Sequence, residues 1–138
     1  MTMKLPLCAA LGALALFAPT LASADSLWRL ADGSILRLTD AGQSRILRYV
    51  TPSEEAAYAG EFPNATLFQG RLDGSNLTGA VITRSEVCGE TTYPVIGQVE
   101  QDPLRIVLAG QSIVRNCLIP TANVRDERLV LEFVGPAD

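Results

Sequence analysis

Any catalysis by this chain would have to come from its carboxylates. It has no histidine, so it has no imidazole base near neutral pH and cannot build a Ser-His-Asp relay. Its one lysine, Lys4, lies in an N-terminal segment that reads as a removable leader, which leaves no amine for Schiff-base chemistry. A pair of carboxylates can cleave glycosidic bonds. Three near pairs exist: Glu54/Glu55, Glu86/Glu90 and Asp126/Glu127. Each falls in a predicted loop, where a solvated carboxylate is ordinary. Asp73-Gly74-Ser75-Asn76 begins like a calcium loop but lacks the spaced ligands and closing glutamate, so it reads as a hairpin turn. Cys88 and Cys117 have no histidine beside which to complete a metal set. No metal or cofactor is expected, and the chain is read as a non-enzyme.

The leader sets the compartment. Lys4 supplies a positive charge, Leu5–Phe17 is largely apolar, Pro19 ends it, and Ala22-Ser23-Ala24 puts small residues at a cleavage site. The apolar run is shorter than the ~20 residues of a membrane span. Residues 1–24 are therefore expected to be a signal peptide cleaved after Ala24, with no stable membrane anchor afterwards. Residues 25–138 are expected to form one domain in the bacterial periplasm or outside the cell. Cys8 leaves with the leader, and Cys88 and Cys117 are expected to form a disulfide in that oxidising compartment. Chain-entropy reasoning gives such a bridge about 3–4 kcal/mol. The whole-chain net charge is −4, and loss of Lys4 makes the remainder more acidic. With no arginine run, this argues against nucleic acid, and no nucleic-acid partner is expected.

The remainder alternates short strands with turns. Leu27–Leu30 is followed by Asp32-Gly33, and Leu36 and Leu38 flank Arg37. In Arg45–Val50, Leu47 and Tyr49 share one face, with Ile46, Arg48 and Val50 on the other. Asp73-Gly74 joins two further runs, Leu104–Leu108 has period two, and Leu129, Leu131 and Phe133 alternate in the last strand. Gly97 suggests a bulge or tight bend. Ser53 can cap one or two helical turns, helped by Glu54 and Glu55. Asn116–Arg125 reads as a disulfide-pinned loop. About eight strands in hairpin order favour an all-β, antiparallel up-and-down barrel, with a two-sheet sandwich as the alternative. The predicted core is Leu36, Leu38, Phe68, Leu72, Val81, Val95, Ile106, Leu108, Leu129, Leu131 and Phe133. Trp28, Phe68 and Phe133 are candidate barrel-interior residues.

Several strings carry a resemblance. They are Trp28 with Asp32–Leu38, Arg48-Tyr49 with Pro52, Thr66–Arg71 with Gly74 and Gly79, Cys88-Gly89, Tyr93-Pro94-Val95, Gly97, Leu108-Ala109-Gly110 and Cys117. Together they resemble a small exported β domain of alphaproteobacterial proteins, one without an established activity, so no catalytic residue carries over. Trp28 on the first strand is also similar to the opening of lipocalin-like (calycin) barrels.

Two segments are candidates for recognition. Thr51–Pro63 is long for a compact barrel and holds Tyr58, Glu61 and Phe62; it serves either binding or as a lid over one barrel end. Glu86–Tyr93 would be preorganised by Cys88. The favoured reading is an exported periplasmic binding module for a small apolar ligand or an envelope protein. The alternative is an inhibitor of an envelope or extracellular hydrolase, such as a lysozyme or protease. A carboxylate-based hydrolase ranks last.

Overall fold

A computed structural model describes residues 24–117 and 121–137. The expected leader therefore lies, apart from Ala24, outside the described residues. The elements are β1 (Ser26–Leu30), β2 (Ile35–Ala41), β3 (Ser44–Thr51), α1 (Glu54–Ala59), β4 (Thr66–Asp73), β5 (Asn76–Ser85), β6 (Gly89–Glu100), β7 (Arg105–Asn116) and β8 (Thr121–Pro136). Each strand pairs antiparallel with its sequence neighbour, and β1 pairs with β8, closing an eight-stranded barrel. The barrel, and not the sandwich, is the fold.

Alternation explains the closure. Leu36 and Leu38 point inward while Arg37 between them is exposed, and Leu47 and Tyr49 point inward between Ile46, Arg48 and Val50. A one-residue slip would turn every such set to solvent, so register is firmly specified. The turns suit it. Gly42 and Gly74 take positive φ in two-residue hairpin loops, and Asp73 pairs directly with Asn76. The two-residue turns (β2–β3 and β4–β5), the β6–β7 turn and both described chain ends gather at one end of the barrel, the short-turn end. The β1–β2 turn, the α1 segment, the β5–β6 turn and the facing ends of β7 and β8 lie at the other, the long-loop end.

The waist is solid. Leu36, Leu131, Ile106, Leu108, Val81 and Phe68 are almost wholly buried, and Leu38 and Val95 join them. Leu72 and Leu129 pack against this core while staying partly exposed. Phe133 departs from the expected core. It lies two residues beyond Leu131 on the same face, but at the barrel end, where no further layer covers it. It stays 43% exposed and meets Trp28 edge-on, with ring centroids 5.4 Å apart.

Two further expectations are corrected. Gly97 makes no bulge, because β6 stays in register through it on both sides. It permits close approach instead: a Cβ there would strike the Val107 carbonyl and the Leu108 side chain. The second concerns Asn116–Arg125, expected as a loop. Asn116 ends β7, and Thr121–Arg125 pairs with β7 as part of β8.

Candidate functional site

The long-loop end holds a cavity of about 370 Å³. Its apolar wall comes from Leu30, Leu67, Val81, Ile113 and Leu129, and its polar groups from Tyr49, Tyr93, Thr83, Thr91, Ser112 and others. Asp32, Arg84 and Glu127 add charge, so this cavity is more polar than the usual small-molecule site.

The α1 segment lies at the same end of the barrel and is fastened at both ends. Ser53 Oγ accepts from Ala56 N at 3.0 Å, as its capping pattern predicts, and donates to Asp32 Oδ2 at 3.0 Å. Ser53 N donates to Ser34 Oγ at 2.9 Å, and Ser34 N donates to Asp32 Oδ1 at 2.8 Å. Ser34 is fully buried by this arrangement. At the other end, the Glu61 carboxylate accepts from Arg84 N at 3.0 Å and from Arg84 Nη1 at 3.3 Å. Arg84 Nη1 also donates to Thr66 O at 2.8 Å, Nη2 faces Glu90 at 3.3 Å, and the guanidinium lies 5.4 Å from the Phe62 ring. Arg84 is thus matched by two carboxylates and serves as a latch. Of the residues expected to bind through this loop, Glu61 and Phe62 are occupied by Arg84. Tyr58 is turned outward and 90% exposed.

One wall of the cavity is a seam. The β6–β7 ladder runs only from Glu100↔Arg105 to Val95↔Gly110. Beyond it β6 continues paired with β5 as far as Gly89, and β7 continues paired with β8 as far as Asn116. The two hairpins therefore part along the barrel side. Thr91 and Tyr93 stand on one lip, Ser112 and Ile113 on the other. The Cys88–Cys117 disulfide, with Cα atoms 5.4 Å apart, ties them together at the tip.

Polar groups along the seam are mostly matched. Thr83 and Thr91 share a 2.8 Å hydrogen bond across β5 and β6, and Ser112 Oγ donates to Glu127 at 2.9 Å. Tyr49 and Tyr93 differ. Both are buried at the ring, and neither phenol oxygen exchanges a hydrogen bond with the described residues. Burial raises both pKa values, assisted at Tyr49 by Glu61 and Asp32 and at Tyr93 by Glu127; Tyr93 is pushed up to about 12. At neutral pH both phenols keep their protons and line the cavity as donors. The Leu47/Tyr49 face is visible in the sequence. Its meaning is not, because nothing there says that the barrel is empty beside Tyr49.

The sign of the pH effect follows. A folded pKa above the unfolded value means the unfolded chain ionises first. Stability contributed by the two neutral phenols is complete below pH 10 and is lost as pH rises from 10 towards 12 and beyond. Urea midpoints measured across that range should fall, and should fall less in Tyr93→Phe.

Among the described residues, no group of three or more His, Cys, Asp and Glu side chains is placed to hold a metal ion. No helix of the described residues is long and apolar enough to cross a membrane.

No family model matches this sequence, and no curated protein matches it. Solved structures do. A rhizavidin–biotin complex superposes with a TM-score of 0.53 at 18% identity, covering 83% of this chain and 96% of that one. A short afifavidin–biotin complex gives 0.51 at 16% identity, covering 80% and 89%. Rhizavidin in a further structure gives 0.52 at 18%, covering 81% and 83%. At these identities the likeness establishes the fold: a small, closed antiparallel barrel of the avidin-like kind. That is consistent with the calycin-like barrel expected from Trp28.

Proposed function

We propose that this chain is a non-catalytic binding protein that holds a small ligand in the cavity behind the β6–β7 seam. One observation carries the reading: two neutral phenols without protein partners, Tyr49 and Tyr93, line a cavity of about 370 Å³ whose walls mix aliphatic side chains with polar and charged ones. They would donate to a carbonyl-type acceptor on a compact, largely apolar body. Each such bond contributes a modest net amount, and the match of donor to acceptor sets which ligand is preferred. The avidin-like architecture supports the reading, since two of the structures this chain resembles hold biotin. The leader-like residues 1–24 and the disulfide support a periplasmic or secreted setting.

Biotin is the first ligand to titrate by calorimetry, followed by cyclic ureas, lactams and esters of similar size. Saturable one-to-one binding is expected for at least one of them. Tyr49→Phe and Tyr93→Phe should each weaken it by about tenfold, the worth of one hydrogen bond. Absence of binding across the panel, or binding unchanged in both variants, would overturn the proposal.

A further inference from the structure

The short-turn end of the barrel holds a second cavity, of about 390 Å³. It shares no lining residue with the first, and the filled waist of Leu36, Val95, Leu108 and Leu131 belongs to neither. Its walls are apolar, with Trp28, Phe133, Leu38, Leu72, Val99 and Leu104 among them, and Asp25, Asp40 and Arg45 at the mouth.

Asp25 Oδ1 and Asp40 Oδ1 are buried oxygens without a hydrogen bond, and among the described residues they are the two side-chain atoms in that state. Each carboxylate does have an arginine nearby. Arg37 Nη1 is 3.5 Å from the other Asp25 oxygen, and Arg45 Nε is 3.2 Å from Asp40 Oδ1 without making a hydrogen bond to it. Arg45 Nη1 donates instead to Gly42 O at 2.7 Å and Ser44 O at 2.8 Å. Trp28 Nε1 is spent on Ser26 Oγ at 2.8 Å. Buried acceptors left in this state are rare and call for a partner.

We infer that this end of the barrel is a second binding site, one that takes an amphiphilic primary amine. The apolar body fills the space between Trp28, Phe133 and the leucines. The ammonium, with three donors, meets the Asp25 and Asp40 side chains, which keep 21% and 33% of their surface exposed. Charge-assisted bonds to carboxylates are the strong kind, so the head sets the preference for an amine over a neutral or anionic analogue. The site is independent of the biotin-like reading of the opposite end.

Trp28 is the only tryptophan and lines this cavity, so its fluorescence reports this site directly. The probes are octylamine, octanol and octanoate. Octylamine should shift the emission saturably, about tenfold more tightly than octanol, and octanoate should bind weakest. Asp40→Asn should bring the amine and the alcohol close to parity, with Asp25→Asn as a second variant and circular dichroism confirming the fold of each. A saturating ligand of the other cavity should leave these titrations unchanged. The proposal fails if Trp28 responds to none of the probes, if octanoate matches octylamine, or if the amine preference survives both substitutions. It also fails if the preference is lost in the chain that begins at Asp25, since its own α-ammonium would then be the group that fills the mouth.

Discussion

Replacing both bridged cysteines, Cys88→Ser with Cys117→Ser, should lower the unfolding free energy by about 3–4 kcal/mol, the loop-closure value for residues 29 apart. For a domain of this length that is a large part of the total. The local effect should be sharper than the global one. Below Val95 the strands β6 and β7 are joined by a backbone ladder; above it they have no ladder between them and the disulfide is their link at the tip. Without it, amides on the two lips, such as those of Thr91, Ser112 and Ile113, should exchange with solvent faster, while the β2–β3 and β4–β5 hairpins keep their relative protection. Ligand affinity at the Tyr49/Tyr93 cavity should fall with them, because Tyr93 stands on one lip. Urea unfolding and hydrogen exchange measure both parts. A double variant within 1 kcal/mol of the parent by urea unfolding, with unchanged exchange at the lips, would show that the hairpins hold each other without the covalent link.

The same seam explains why part of the fold was readable in the sequence and part was not. Strands that wrap the solid waist announce themselves, since one face must be apolar: Leu36/Leu38, Leu47/Tyr49, Ile106/Leu108 and Leu129/Leu131 alternate with polar or outward neighbours. Turn residues did the rest, with Asp32-Gly33 and Asp73-Gly74 standing where β1–β2 and β4–β5 reverse. The upper reaches of β6, β7 and β8 carry no such signal. Their inner faces line a cavity with Thr91, Tyr93, Ser112 and Glu127, so the apolar alternation disappears while the ladder continues. That is why Asn116–Arg125 read as a loop. It is also why Asp126/Glu127, placed in a loop as a carboxylate pair, belongs to a strand. The helix over Glu54–Ala59 was legible because Ser53 caps it through local chemistry. The partners of Glu61 and Ser53 were not, because Arg84 and Ser34 are distant in sequence and only barrel closure brings them near. Phe133 shows the limit of alternation: it fixes the face of a strand, not how far along the barrel the core extends.

Phe68 is where core and cavity meet, and its truncation should have the largest effect of any single substitution. The ring is 1% exposed on β4, facing Val81 on β5 and Leu47 on β3. It also lies over Gly70: a Cβ added there would sit 2.6 Å from Phe68 Cζ and would strike the Thr78 carbonyl. The glycine gives the ring room, and Gly79 opposite lets β4 and β5 approach at that point. Removing the ring leaves a void that closed ladders on both sides of β4 prevent from collapsing, so both the transfer and the cavity contributions apply. Phe68→Ala should lose about 4 kcal/mol, within the usual span for buried phenylalanine. Tyr58→Ala, at an aromatic that is 90% exposed, should stay within about 0.5 kcal/mol. Phe68 also lines the Trp28 cavity, so the void should merge with it. A small aromatic such as benzene should then raise the urea midpoint of Phe68→Ala more than that of the parent, since binding to the folded state alone shifts the equilibrium by mass action. A loss below 2 kcal/mol without rescue would mean that the barrel wall relaxes inward, and the waist would not be the rigid partition between the two cavities that the packing of Leu36, Leu108 and Leu131 implies.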